Sequence, residues 1–88
     1  MANHPSALKR HRQSERKRIA NRATRSKIGT SVGKVAAAIA AGDADTANRE
    51  LKSASVTLAK AASKGVIHRS TASRRISRLA RQVARLSG

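Results

Sequence analysis

Four arginines in the C-terminal part of the chain share a regular spacing. Successive members are four, three and four residues apart, and no acidic residue follows Glu50. At 3.6 residues per turn, this spacing places all four on one side of a helix. Like charges so arranged repel each other, and a planar guanidinium group matches phosphate oxygens, so the series indicates an external anion rather than a merely solvated face. The four are Arg74, Arg78, Arg81 and Arg85.

A second basic series occupies the N-terminal third of the chain and points in nearly every direction around a helical axis. Such a rod suits insertion between several phosphate backbones of a folded RNA, whose mutual repulsion it would neutralise. The alternative is a disordered basic tail, but the absence of proline after Pro5 and the many Ala, Arg and Lys residues favour a helix. The series comprises Lys9, Arg10, Arg12, Arg16, Lys17, Arg18, Arg22, Arg25 and Lys27.

The charge of the whole chain is large and unevenly distributed. Of 88 residues, 20 are Lys or Arg and 4 are Asp or Glu, which gives a formal net charge of +16. Residues 1–34 carry +9, residues 35–63 carry 0 and residues 64–88 carry +7. The partner of such a surface should be a polyanion, and nucleic acid is the first candidate because counterion release gives high affinity. We expect the neutral middle segment to face solvent or a protein neighbour.

Residue types needed for catalysis and for metal or cofactor binding are scarce. The chain has no Cys, and its 3 histidines lie in different segments without metal-ligand spacing. Asp43 and Asp45 stand where a helix begins, so capping and the helix dipole explain them. We therefore expect no enzyme activity, no cofactor, no metal site and no small-molecule substrate. Because no aromatic residue is available to stack on bases, recognition should follow backbone and shape.

Two breaks divide the chain into three helical segments. Gly42 and Gly65 can adopt the left-handed conformation that ends a helix, while Asp43 and Ser70 can cap the helices that follow. Apolar residues recur at intervals of three and four within the segments, which predicts amphipathic helices with a coiled-coil-like seam. The predicted helices cover about residues 5–41, 44–63 and 71–87.

The apolar seam of the first segment begins only at Ile28. Its backward extension meets polar and basic residues, so the N-terminal half should project from the bundle and fray without a ligand. Ile, Leu and Val together number only 15 of 88 residues, which predicts a thin core. The expected fold class is all-α: a three-helix antiparallel bundle with a long, protruding N-terminal helix, forming one nucleic-acid-binding domain over residues 1–88.

Three stretches of the sequence form a distinctive set: Met1-Ala2-Asn3-His4 with Ser6-Ala7 and Lys9-Arg10, Asn21-Arg22-Ala23 with Ser26, and Lys64-Gly65-Val66-Ile67-His68-Arg69 followed by Thr71-Ala72, Arg74-Arg75 and Ser77-Arg78-Leu79. With these stretches, the chain resembles the bacterial small-subunit ribosomal protein twenty family over nearly its full length. The resemblance implies a three-helix bundle with an overlong first helix, acting as a structural component of the small (30S) subunit that binds directly to 16S rRNA and helps it fold during assembly. It further implies a cytoplasmic location in the ribosome and other small-subunit components as neighbours, and we expect no obligate homo-oligomer.

The resemblance also implies which residues face RNA. Carried over by position, they are Asn3, Ser6, Lys9, Arg10, Arg12, Arg16, Asn21, Arg22, Ser26, His68, Arg69, Thr71, Arg74, Arg75 and Arg78. The charge pattern adds Lys17, Arg18, Arg25, Lys64, Arg81 and Arg85 as candidate RNA-binding residues. Departures from the family pattern at Pro5, Gly29, Ser31 and Gly33 bear on the straightness of the first helix near residue 30 and on the stability of the free protein.

Three other classes of basic protein share some of these features. A nucleoid-type DNA-binding protein is the main alternative, although we find no pattern for a dimer interface or an apolar wedge that kinks base steps. A mitochondrial transit peptide would match residues 7–34, but its removal would leave too little chain to fold. A membrane-active peptide needs free apolar faces, which these helices require for one another, and the longest apolar run, residues 35–41, is far shorter than the roughly 20 residues of a membrane span.

Overall fold

Three α-helices account for most of the molecule. The computed structural model describes the backbone of residues 5–87 and the side chains of residues 7–86. Within that range there are three helices and no strand, in the order α1 (Pro5–Ala40), α2 (Ala44–Ser63) and α3 (Arg69–Ser87). The prediction of an all-α fold with a long N-terminal helix is confirmed. Helix α1 runs without interruption through Gly29 and Gly33 and ends one residue before the predicted boundary, because Ala41 already belongs to the turn.

The two predicted glycine breaks end their helices in the same way. At the end of α1, the amides of Gly42 and Asp43 each donate a hydrogen bond to a carbonyl of the last turn, with a nitrogen to oxygen distance of 3.0 Å. The amides of Gly65 and Val66 do the same at the end of α2. The φ angles of Gly42 and Gly65 are +71° and +77°, a left-handed conformation that is strained for residues with a Cβ atom. Both turns are short, so each helix runs antiparallel to the one before it.

Asp43 caps α2, as predicted. Its Oδ1 accepts a hydrogen bond from the Thr46 amide at 3.1 Å, and its Oδ2 accepts one from the Thr46 hydroxyl at 2.6 Å. The bond from the Thr46 side chain, followed by the bond from the Thr46 amide, lowers the pKa of Asp43 below its ordinary value of 3.8. Because these bonds favour the charged carboxylate, the cap is strongest when Asp43 is ionised.

Helix α3 is capped by His68, so the prediction that Ser70 provides the cap is wrong and the helix begins two residues before residue 71. The Nδ1 atom of His68 accepts a hydrogen bond from the Ser70 amide at 3.1 Å, and the His68 carbonyl accepts one from the Ala72 amide at 3.1 Å. Ser70 lies inside the helix, with its hydroxyl 2.7 Å from the same ring nitrogen. An imidazole nitrogen can accept a hydrogen bond from a helix amide just as a short polar side chain does. With His68 as the cap, Arg69 becomes the first residue of α3.

Helix α2 lies at the centre of the packing. It packs against both α1 and α3, whereas α1 and α3 scarcely meet. Three α2 alanines, Ala47, Ala54 and Ala61, have no exposed surface, which allows the neighbouring helices to approach α2 closely. All the predicted seam residues are buried or half-buried, and Ala38 and Val66 complete the core. The seam residues are Ile28, Val32, Val35, Ile39, Ala47, Leu51, Ala54, Leu58, Ala61, Ala72, Ile76, Leu79, Val83 and Leu86.

The N-terminal half of α1 extends beyond the bundle. None of the side chains of residues 7–27 is buried, and the core begins at Ile28. We call residues 5–27 the arm. The described chain measures 65 × 21 × 14 Å with a radius of gyration of 17.6 Å, against about 12 Å for a compact chain of this length. Between residues 5 and 87, no helix is long and apolar enough to cross a bilayer.

Candidate nucleic-acid interface

The four regularly spaced arginines of α3, which we call the arginine stripe (Arg74, Arg78, Arg81 and Arg85), are all exposed. The opposite side of the helix buries Leu79 and Val83, so one face of α3 packs and the other is free to bind. Helix α3 contains no acidic residue, and none of the four arginines forms an ion pair within residues 7–86. The stripe is therefore a row of uncompensated guanidinium groups on a firmly packed helix, a geometry suited to successive phosphates.

Basic side chains also surround the arm. Because no side chain between residues 7 and 27 is buried, the Lys and Arg side chains of the arm can reach phosphates on several sides. The ion pair between Arg18 and Glu15, with a nitrogen to oxygen distance of 2.8 Å, is the one ion pair within residues 7–86. Both partners are largely exposed, so the pair contributes at most about 1 kcal/mol and an incoming phosphate can replace Glu15.

The uncharged candidates on α1 differ in their surroundings. Asn21 is half-buried and shares a shallow basic depression with Arg18 and Arg25, so its amide can add a directed hydrogen bond to the charge. Ser26 is exposed, and its carbonyl accepts a hydrogen bond from the Thr30 hydroxyl at 3.1 Å. Asn3 lies outside the described residues, and Ser6 is described only as part of the α1 backbone.

The turn between α2 and α3 and the first turn of α3 hold four further candidates. Lys64 takes the C-cap position of α2, and Arg69 opens α3; both side chains are exposed. Thr71 is half-buried. His68 is exposed but already uses Nδ1 for capping, which leaves Nε2 for a contact with RNA. The imidazole therefore has a structural role that its sequence position did not reveal.

The fold brings the base of the arm together with the first half of α3. Arg25 on α1 and Arg75 and Arg78 on α3 line one cleft between the two helices, whereas Lys9 and Arg10 lie near the far end of the arm. All the predicted basic residues with described side chains are exposed. They are Lys9, Arg10, Arg12, Arg16, Lys17, Arg18, Arg22, Arg25, Lys64, Arg69, Arg74, Arg75, Arg78, Arg81 and Arg85.

The cleft itself does not follow from the sequence pattern. Its apolar lining includes Val32 and Ile67, and Gly29 contributes to one wall. The periodicity rules assigned Val32 to a seam and treated Gly29 only as a residue that weakens a helix. The four-residue spacing of Arg25 and Gly29 does indicate such a site, because it places a cation and a residue without a side chain on the same face of α1.

The outer face of α2 presents a third exposed surface. It carries Arg49, Lys52 and Lys60, all exposed, around Val56, which is 53% exposed. Helical periodicity does not determine the environment of Val56, and the structure places this side chain at the surface. Both acidic residues of α2, Asp45 and Glu50, lie in its first half, so the second half of the helix carries only positive charge. Nowhere in residues 5–87 do three His, Asp or Glu side chains form a group that could hold a metal ion.

Comparison with known proteins agrees with this geometry. A family model described as Ribosomal protein S20 matches residues 2–84 of the chain. The small ribosomal subunit protein bS20 of Dinoroseobacter shibae is 48% identical over 87 residues, covering 99% of this chain and 99% of the relative. The bS20 proteins of Anaeromyxobacter dehalogenans and Desulforapulum autotrophicum are 51% and 53% identical, covering 97% and 94% of this chain and 92% and 99% of their own lengths. The resemblance seen in the sequence is confirmed: the chain belongs to the ribosomal protein S20 family, a family of ribosomal structural proteins and not of enzymes.

Proposed function

We propose that the chain is a structural component of the small (30S) ribosomal subunit that binds 16S rRNA directly and stabilises its folding during assembly. The whole of residues 1–88 would act as one RNA-binding domain, with other small-subunit components as its neighbours and the cytoplasmic ribosome as its location. It would need no cofactor, no small-molecule substrate and no obligate second copy. The candidate RNA-binding residues are those of the arm, the turn between α2 and α3, and α3.

One observation carries this proposal: the uncompensated cations lie where protein packing ends. The arm carries basic side chains on all sides and has no buried side chain between residues 7 and 27, while the arginine stripe lies opposite the packed face of α3. A rod of positive charge beside a firmly packed basic face can hold RNA helices that would otherwise repel each other. Stabilisation of rRNA folding follows from this neutralisation.

A binding assay with competitor tests the class of nucleic acid. Labelled 16S rRNA 5′-domain should remain bound to the purified chain in the presence of a large mass excess of duplex DNA, because the arm suits a folded RNA better than a single duplex. Competition by DNA at equal mass would instead favour a nucleoid-type protein and contradict the ribosomal assignment of the binding surface. Both arms of the assay must use the same salt concentration, since each affinity falls steeply with ionic strength.

Charge reversal tests the binding face. Changing Arg74, Arg78 and Arg81 to Glu should weaken binding to the 5′-domain by more than about tenfold and make the salt dependence shallower by about one slope unit for each lost phosphate contact. The matched control reverses Arg49, Lys52 and Lys60 on the outer face of α2, which produces the same change in net charge. The control should lose much less affinity and keep its slope.

Equal losses in the two triple variants would show that overall charge, and not the arginine stripe, determines affinity. Circular dichroism of both variants before binding checks that each retains its helices. This check matters for α3 because the substitutions place three acidic side chains in a helix that has none.

A further inference from the structure

A cleft separates α1 from α3 where the two helices do not close on each other. Its volume is about 670 Å³, within the range of roughly 300–1,000 Å³ that is typical of pockets for small ligands. The floor contains Ile28 and Leu79, which are only 4% and 8% exposed. Half-buried Val32 and Ile67 flank this floor and extend its apolar surface.

The rim of the cleft is cationic and polar. Arg25 comes from α1, Arg75 and Arg78 come from α3, and Gln82 lies one turn beyond Arg78. The cleft has no acidic lining residue, and none of the three arginines takes part in an ion pair within residues 7–86. An apolar floor therefore meets a rim that attracts anions and that also carries one amide able to donate and accept hydrogen bonds.

Gly29 keeps the cleft open. It lies on the same face of α1 as Arg25 and Val32, so a side chain at this position would project into the cleft. A Cβ atom built at Gly29 has no neighbouring atom within 4 Å. A Cβ atom at this position therefore fits without displacing any part of the protein, and a longer side chain would extend into the cleft.

We propose that this cleft holds one unstacked nucleotide of the bound RNA, with its base on the apolar floor and its phosphate on the arginine rim. A phosphate alone would leave the floor uncovered, and an apolar side chain of another protein would leave three guanidinium groups unused. A nucleotide carries both a flat, weakly polar face and an adjacent anion, and guanidinium planes can stack on bases where aromatic residues are lacking. The inference rests on the proposed function, because the nucleotide belongs to the rRNA.

Filling the cleft tests the inference. Gly29→Leu should weaken binding of 16S rRNA 5′-domain by about tenfold or more, the size expected for the loss of one stacked base. Gly33→Leu is the matched control, because it makes the same change four residues along α1 at a glycine that also has open space but does not line the cleft. This control should bind within about twofold of the unchanged chain, since nothing in the cleft is displaced.

Cleavage by a probe attached at the rim does not depend on the fold of a filled variant. The chain has no cysteine, so Gln82→Cys creates a unique attachment point for a hydroxyl-radical probe at the rim. In the complex, cleavage should centre on one short stretch of RNA containing a nucleotide that is unpaired. In the unchanged complex, the base of that nucleotide should be protected from chemical modification, and Gly29→Leu should remove the protection.

The outcomes separate the two proposals. If the unchanged chain fails to bind the 5′-domain, both proposals fail. If it binds, but Gly29→Leu binds equally well and leaves every base protection intact, the cleft holds no nucleotide while the proposed function stands. Probe cleavage confined to fully paired RNA would also overturn the inference, because a paired base cannot enter the cleft.

Discussion

Asp43 and His68 both cap helices, but they do so with different chemistry. The Asp43 carboxylate accepts two hydrogen bonds from Thr46, whereas the His68 ring accepts through a single nitrogen. Each side chain fixes the direction in which the next helix leaves its turn. These two residues therefore orient α2 and α3, although neither is buried.

The cap at Asp43 makes a prediction about pH. The pKa of Asp43 is lowered in the folded chain by its bonds to Thr46, so the stabilisation is fully present above the ordinary pKa of 3.8 and is lost as the pH falls through the lowered pKa. Asp43→Ala should therefore lower the thermal midpoint at neutral pH, and the difference should shrink in strong acid. Thermal unfolding followed by circular dichroism at several pH values measures this.

Asp43→Asn is the control for the carboxylate charge. An asparagine still caps a helix but does not titrate, so this variant should keep most of the stability at neutral pH without the added loss in acid. A deficit in Asp43→Ala that stays constant from neutral to strongly acidic pH would contradict the role given to the ionised carboxylate.

At the scale of the helices, the same residue type has opposite effects in two places. Gly65 ends α2 with a φ of +77°, whereas Gly29 lies within α1 with open space around it. Replacement of Gly65 by Ala should destabilise the chain by about 1–2 kcal/mol, because a Cβ is strained in the left-handed region. Replacement of Gly29 by Ala should stabilise it by about 0.5–1 kcal/mol through helix propensity. Urea unfolding monitored by circular dichroism compares the two variants.

Each member of this pair serves as the control for the other, since both introduce one methyl group. If Gly65→Ala were as stable as Gly29→Ala, the left-handed turn would not constrain the end of α2. If both were destabilised, open space at Gly29 would be a wrong description of α1.

Much of this architecture could be predicted because it depends on local rules. The breaks at Gly42 and Gly65 and the seam that starts at Ile28 follow from backbone conformation and helical periodicity, and the structure contains all of them. The His68 cap was missed because sequence rules favour short polar side chains such as serine over imidazole at the N-cap position. Rules for helix ends and helical periodicity say nothing about distances between helices that are not consecutive in the chain.

The cleft depends on such a distance, because it lies between α1 and α3. Periodicity shows which face of α1 and which face of α3 are apolar. It does not show that both helices pack against α2 and leave a cleft between them. The exposed basic residues were predictable by type. Their grouping, with Arg25 opposite Arg75 and Arg78, depends on how α1 and α3 are set around α2.

For the whole molecule, the division into arm and bundle predicts the order of cleavage by trypsin. The arm has many Lys and Arg residues, and none of its side chains from residue 7 to residue 27 is buried, so its helix opens at little cost in free energy. The bundle, in contrast, protects residues 28–86 through a shared core. Brief digestion of the free chain should remove the arm first and leave a helical fragment that begins close to Ile28. Mass spectrometry identifies the fragment.

Bound RNA should reverse this pattern. With 16S rRNA 5′-domain present, the arm should resist digestion for much longer, and a fragment of random-sequence RNA at the same mass serves as the control for charge alone. Cleavage at the same rate throughout α1 and α3 in the free chain would contradict the independence of the bundle from the arm.

The arm also places positive charge farther from the bundle than the charges of the bundle itself can attract an anion in salt solution. At physiological ionic strength that attraction fades within about 8 Å, whereas a helix covering residues 5–27 is about 35 Å long. An approaching RNA therefore interacts with the arm while the charges of the bundle are still screened from it. This first contact orients the chain before the bundle binds. Attraction of this kind acts mainly on the rate of association, so shortening the arm would slow the encounter even where the final contacts of α3 are unchanged.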